Sequence, residues 1–226
     1  MLFVLFLIFV LIGLFLNLVR NYDLFTISAI YLVFSIFLYF IDVYAVLYVI
    51  LFFFVAESIT LILNKKHEHR NYKNIIGNCL ASIIIFAAGY LFSGSIGMLA
   101  FNVGALAAIS AAFSDTLSSE IGLLSKRPPV LITTFKKVKK GIDGGITILG
   151  LTAAFTGTLI TALFFWLAKY PNKIVIIIAL SGIVGSIIDS IIGALIERKG
   201  HFNNNQTNFS ATFLTGLIAI VVFLLI

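Results

Sequence analysis

Between Ser114 and Gly150 the chain reads SDTLSSEIGLLSKRPPVLITTFKKVKKGIDGGITILG, opening with two carboxylates among hydroxyls, continuing with six Lys or Arg, and closing on a glycine cluster. Asp115 and Ser119 are four residues apart, as are Thr116 and Glu120. Asp115 and Glu120 differ by five positions, about 140° on an ideal helix, so they point to neighbouring sectors, and if the fifth span ends here both can still edge one cavity. Hard oxygen donors of this kind suit Mg2+, which keeps several waters and binds through one or two carboxylates together with substrate phosphates. Asp189, far along the chain, is the natural third member, giving a metal set of Asp115, Glu120 and Asp189. The competing reading pairs Asp115 and Glu120 with Lys126, Arg127 or the lysines beyond.

Lys136, Lys137, Lys139 and Lys140 run into Gly141, Gly144 and Gly145, and an apolar run follows. Glycine lets a backbone approach a ligand closely. The free N–H groups of a helix start bind phosphate oxygens. The order is lysines, glycine turn, helix start. It is not GxxxxGK[ST], so it is no P-loop. A polybasic loop held at anionic lipid headgroups is the alternative.

Three further polar stripes share a side with this segment. Glu57, Thr60 and Asn64 fall on one helix face, as do Asn71, Asn74, Asn78 and Ser82 behind Arg70. Ser186, Asp189, Ser190, Gly193 and Glu197 make the third, and an Asn-rich run, FNNNQTNF at 202–209, follows it. A central Asp costs roughly 2.5–3.5 kcal/mol on membrane-insertion scales. Stripes gathered on one side point to a shared polar cavity. His67, His69 and His201 lack the HExxH spacing of a zinc helix and read as solvated loop residues.

The elements that must position these residues are almost wholly hydrocarbon. The chain has 226 residues, 61% hydrophobic and 11% charged, with a mean hydropathy of +1.16. Soluble domains are about 25% charged. The expected fold is therefore all-α, a polytopic transmembrane bundle of about eight spans near 2–19, 24–40, 43–63, 75–92, 95–113, 144–168, 172–196 and 208–226. Short helices on the cytoplasmic side are compatible with it. The split between the second and third spans rests on Asp42. Of 15 Lys and Arg, all but Lys169 and Lys173 fall in the odd-numbered loops, which the positive-inside rule puts in the cytoplasm of a cell-membrane protein with both termini outside. The first apolar run lacks a basic n-region and reads as a retained span. Tyr39, Phe40, Tyr44, Trp166 and Tyr170 fit interfacial belts. Cys79 is the single cysteine and excludes an intramolecular disulfide. The whole chain reads as one membrane domain, with 57–226 carrying the motifs and 1–56 apolar. No hydrophilic domain is present to bind nucleic acid, and a homo-oligomer is left open.

Taken together, SDTLSSEIG, LITTFKKV, GIDGG, GSIIDSIIGA and NNNQTNF resemble the DUF92 family of membrane proteins, which includes the transmembrane protein 19 type and the phytyl-phosphate kinases of the plant vitamin E pathway. Its Arg–Asn pair and following Asn fall on Arg70, Asn71 and Asn78. Its DTxxSE core falls on Asp115, Thr116, Ser119 and Glu120, and its ITxxK segment on Ile132, Thr133 and Lys136. The family's glycine turn falls on Val138, Gly141, Gly144 and Gly145, its late DSxxGA on Asp189, Ser190, Gly193 and Ala194, and its closing Asn-rich segment on Asn204, Asn205 and Asn208. Lys139 stands where the family has Pro, Ile142 where it has Thr or Ser, and Glu197 where Gln is common. The resemblance implies Mg2+-dependent phosphoryl transfer from a nucleotide, CTP, to a prenyl monophosphate such as phytyl or geranylgeranyl phosphate. Asp115, Glu120 and Asp189 would hold the metal and nucleotide phosphates. Arg70, Lys136 and Lys137 would screen the acceptor phosphate, whose isoprenoid tail lies among membrane lipids. Two other classes compete: a transporter or scramblase of a lipid-linked anion, and a CTP-dependent cytidylyltransferase.

Overall fold

The computed structural model describes residues 13, 14, 17, 22–62, 72–92 and 94–226. Among the described residues, seven helices carry the fold: α1 (Leu24–Phe40), α2 (Val43–Ile62), α3 (Tyr72–Phe92), α4 (Ser95–Gly122), α5 (Ile148–Leu167), α6 (Asn172–Leu195) and α7 (Asn204–Leu225). A 3-10 turn at Glu197–Lys199 joins α6 to α7. All but α1 are long and apolar enough to cross a membrane, and α1 is a shorter apolar helix. The chain is a polytopic helical membrane protein. Apart from residues 13, 14 and 17, the expected first span lies outside the described residues, as do Arg20, Asn64, His67, His69, Arg70 and Asn71.

Helix boundaries follow local chemistry. Asp23 caps α1, its carboxylate accepting the Thr26 N–H at 2.6 Å. Asp42 separates α1 from α2 by accepting the Ala45 N–H at 2.8 Å, and its second oxygen takes the Tyr170 hydroxyl. One residue thus starts a helix and pins the turn between α5 and α6. Asn203 and Gln206 form a reciprocal capping box at the start of α7.

The centre of the bundle is α4, which packs against α3, α5, α6 and α7. Its buried Ala105, Ala108, Ala111 and Ala112 let neighbouring backbones come close. At Gly185 of α6 a β-carbon would collide with Ala111. Between α2, α4 and α5 the space is filled by tilted and edge-on rings of Tyr48, Phe52, Phe113, Phe164 and Phe165.

Several expectations change. The fifth span, expected to stop near 113, continues to Gly122, because Leu117 buries itself in the core while Ser118 and Ser119 face the polar end. Helix α7 starts at Asn204 rather than 208, since Asn203 caps it. Residues 144–147 do not open α5. Instead Gly145–Ile146 pairs antiparallel with Val130–Leu131 as strands β2 and β1, and α5 begins after the Thr147 cap. The stripe on α2 does not join a common cavity. Glu57 is 2% exposed and accepts the Tyr22 hydroxyl at 2.6 Å, and Thr60 bonds back to the Ala56 carbonyl. Ser82 likewise serves packing, donating to the Ala105 carbonyl at 2.8 Å.

Candidate functional site: an acidic cavity at one end of the bundle

The end of α4, the start of α5, the end of α6 and the start of α7 meet at one end of the bundle around a cavity of about 190 Å³. Asp115, Ser118 and Ser119 reach it from α4, and Asp189, Ser190 and Gly193 from α6. The loop before α5 roofs it with Lys140–Thr147, and Glu197 and Asn204 close the remaining side. Lys169 and Lys173 belong to the opposite end.

Asp115 and Asp189 share the cavity because α4 and α6 pack closely over small residues. Ser186 Oγ donates to Asp115 Oδ1 at 3.2 Å. Asn208 bridges two elements. Its amide lies 3.1 Å from Asn78 Oδ1 on α3. On its other side it lies 3.2 Å from both Asp189 Oδ2 and the Asn204 carbonyl. Two acceptors on that side assign it the nitrogen, which leaves the oxygen facing an Asn78 amide turned to donate. One turn away, Asn74 donates to Asn205 at 3.3 Å. The Asn-rich run thus splits its work: Asn203 caps, Asn204 lines, and Asn205 and Asn208 tie α7 to α3.

The roof is shaped by glycine. Gly145 N–H closes a turn onto the Ile142 carbonyl at 2.9 Å, and Gly144 inside it has φ +75°. Gly144 also lies so close to α6 that a β-carbon would run into Ala194, while Gly193 opposite it leaves room for the Gly144 N–H. Thr147 then caps α5, accepting the Gly150 N–H at 2.9 Å and reaching the Gly122 carbonyl at 3.4 Å. The positive end of α5 is thereby turned toward the cavity. Lys140 lines the same space and donates to the Leu123 carbonyl at 3.1 Å.

Charge in the cavity is mostly negative. Asp189 has Asp115, Glu197 and Asp143 as its charged neighbours. All donors are hard oxygens, which fits Mg2+ through two carboxylates, Asp115 and Asp189. The expected three-carboxylate metal set does not form. Glu120 does not line the cavity, and among the described residues no three His, Cys, Asp or Glu side chains are arranged to hold a metal ion. The reason is rotational: five residues on from Asp115, Glu120 points to another sector of the extended α4.

Of the remaining sequence candidates, Gly141, Gly144, Gly145, Ser119, Ser190 and Asn204 line the cavity. Asn78 and Asn208 border it through the contacts above. Thr116 does not line it, nor do Thr133, Lys136 and Lys137, which are exposed in and beside the Val130–Lys137 hairpin. Asn205 acts through Asn74. Lys140 is the member of the lysine run that lines the cavity, and Ser118, Thr147 and Asp143 line it without having been singled out. Asp143 was legible as the one acid held between the glycines.

The fold and this cavity define a polytopic helical membrane protein with an acidic, glycine-roofed chamber at one end. The chain belongs to the integral membrane protein family DUF92, which it matches over residues 4–216, beginning well ahead of the motif-bearing part. It is 42% identical over 154 residues to an uncharacterized membrane protein of Methanocaldococcus jannaschii, covering 68% of this chain and 63% of that one. It is 47% identical over 98 residues to Protein PGR of Arabidopsis thaliana, covering 38% of this chain and 34% of that one. With Protein VTE6, chloroplastic, of Arabidopsis thaliana it is 28% identical over 165 residues, covering 70% of this chain and 49% of the relative. The chain spans less than two thirds of the length of each of these three relatives. No solved structure matches it.

Proposed function

We propose that this protein is a membrane-embedded phosphotransferase that carries the terminal phosphoryl group of a nucleoside triphosphate, CTP by family resemblance, onto a prenyl monophosphate such as phytyl or geranylgeranyl phosphate. A phosphate oxygen of the acceptor forms the new P–O bond, the bond to the bridging oxygen of the nucleotide breaks, and the products are the prenyl diphosphate and the nucleoside diphosphate. The observation that carries this reading is the cavity itself, with two neighbouring Asp side chains facing a glycine roof and the start of a helix.

Four carboxylates, those of Asp115, Asp143, Asp189 and Glu197, would repel a polyphosphate unless a cation came with it. Bound Mg2+ would supply charge neutralisation for the transferring group. Asp115 and Asp189 are the groups to hold it. Lys140 and the N–H groups at the start of α5 lie where phosphate oxygens could be received. The acceptor is already an anion, so no strong general base is needed, and positioning does most of the work. The positive-inside pattern supports a cytoplasmic position for this end in a cell membrane. Purified protein should convert CTP and geranylgeranyl phosphate to geranylgeranyl diphosphate and CDP in a Mg2+-dependent reaction. Pyrophosphate release with CMP left on the lipid would make it a cytidylyltransferase instead. No diphosphate across a nucleotide and prenyl-phosphate panel would end the proposal.

A further inference from the structure

Residues 123–142 carry six Lys or Arg and no Asp or Glu. Lys140 turns to the acidic chamber, while Lys126, Arg127, Lys136, Lys137 and Lys139 are exposed. Among the described residues none of these five is paired with a carboxylate. Three of them follow directly on a tight turn. The N–H groups of Thr134 and Phe135 both donate to the Leu131 carbonyl, at 3.2 and 2.8 Å, and the Leu131 N–H donates to the Lys136 carbonyl at 2.9 Å. This turn holds Phe135 at φ +54°, where bulky residues are seldom found, and leaves the residue 75% exposed. The hairpin therefore presents an aromatic ring beside unpaired cations.

We propose that this hairpin is a docking surface for anionic lipid headgroups, with Phe135 set at the top of the acyl layer and Lys136, Lys137 and Lys139 on the lipid phosphates. The proposal is independent of the phosphotransferase reading. Position supports it. Strand β1 is paired to β2, and α5 begins two residues after β2 with Ile148 69% exposed. At the other root of the segment, Leu123 and Leu124 follow α4 and are 39% and 52% exposed. Outward apolar side chains at both roots put the hairpin where the hydrocarbon ends. Its turn extends about two to three residues beyond the Val130–Lys137 bridge, roughly 7–10 Å. The headgroup layer on each side of a bilayer is of similar depth, about 5–8 Å. Charge then sets the preference among lipids. Polybasic segments beside a membrane are drawn to anionic leaflets, each Lys favouring that surface about fivefold. A soluble phosphate would meet the cations and leave the ring in water. An anionic bilayer receives both, because apolar burial and headgroup attraction act together there.

The test uses the full chain carrying Phe135→Trp and Trp166→Phe, which leaves a single tryptophan at the turn. It is placed in nanodiscs of phosphatidylcholine and phosphatidylglycerol, with one lipid or the other brominated near the top of its acyl chains. Fluorescence quenching then reports which lipid touches the turn. At equal mole fraction phosphatidylglycerol should be preferred about fivefold or more, as a ratio of association constants from the quenching curves. Changing Lys136, Lys137 and Lys139 together to Gln should abolish the preference. About 0.5 M NaCl should do the same with the lysines intact, which repeats the test without that variant. A preference absent at low salt, or one that survives the Gln substitutions, would overturn the proposal. No quenching by either lipid would also overturn it, and would leave the turn open to an acidic protein. Neither nucleotide nor prenyl phosphate is present, so the result stands or falls apart from the phosphotransferase.

Discussion

Asn208 joins three helices at the site, and truncating it should be felt both in stability and in turnover. Its amide nitrogen serves Asp189 Oδ2 and the Asn204 carbonyl at 3.2 Å, and its other end meets Asn78 at 3.1 Å. A hydrogen bond to a charged group contributes about 1.5–3 kcal/mol. Asp189 is only half-buried by accessible surface, so the lower end applies, about 1.5 kcal/mol or roughly tenfold. Asn208→Ala should therefore reduce kcat/KM for diphosphate formation about tenfold and lower the thermal midpoint in a fixed detergent. Asn78→Ala should cost about 1 kcal/mol in the native background and clearly less once Asn208 is gone, a coupling of at least about 0.5 kcal/mol. Asn208→Asp should be worse than Asn208→Ala in both assays, because it sets a second carboxylate against Asp189. Strict additivity of the two alanine changes would refute the bridge. So would an Asn208→Asp protein as stable as the native one.

Other changes have distinct expected outcomes. Gly144→Ala forces a β-carbon into Ala194 from a left-handed backbone and should destabilise by about 1–3 kcal/mol, read as a lower thermal midpoint with reduced turnover. Asp115→Asn and Asp189→Asn should each lower turnover about a hundredfold or more, whereas Glu120→Gln, whose side chain does not line the cavity, should stay within about threefold of native. Chelation of divalent cations should abolish turnover, and added Mg2+ should restore it, as measured by product formation. Tyr170→Phe should lower the thermal midpoint by removing about 1 kcal/mol of hydrogen bonding to Asp42, with KM unchanged, because it lies at the far end of the bundle.

Much of the architecture was legible because hydropathy and charge act locally. Asp42 marked the break between α1 and α2, since a carboxylate there can both cap a helix and end an apolar run. That Asp115 and Asp189 belong to one site was expected from their types, but the packing that brings them together was harder to read. It depends on Gly185 meeting Ala111 and on the depth to which α6 nests against α4, which no single segment encodes. Hydropathy cut α4 short at its first polar residues, although Leu117 and Ile121 keep the helix on the core. The glycine segment looked like a helix start and formed β2, because Gly144 is held against α6 and its carbonyl accepts the Ile132 N–H at 3.0 Å. Glu57 misled for a related reason. A lone acid in an apolar helix suggests a cavity, and here a tyrosine hydroxyl from outside that helix satisfies it.

The identity of the donors around the two Asp residues bears on what they are for. A carboxylate kept for structure is commonly matched by Arg or Lys, which cancels its charge as well as filling its lone pairs. Here the contact to Asp115 comes from the Ser186 hydroxyl and the one to Asp189 from the Asn208 amide. Both are neutral. They fix the rotamers of the carboxylates and leave their negative charge for a ligand. The cation nearest in the roof, Lys140, donates to a backbone carbonyl, and the strongly basic hairpin around Lys136 stands apart from the chamber. A neutral hydroxyl and a neutral amide therefore orient the acids, and under the proposed function a cation would complete them, which would account for asparagines rather than arginines at the start of α7.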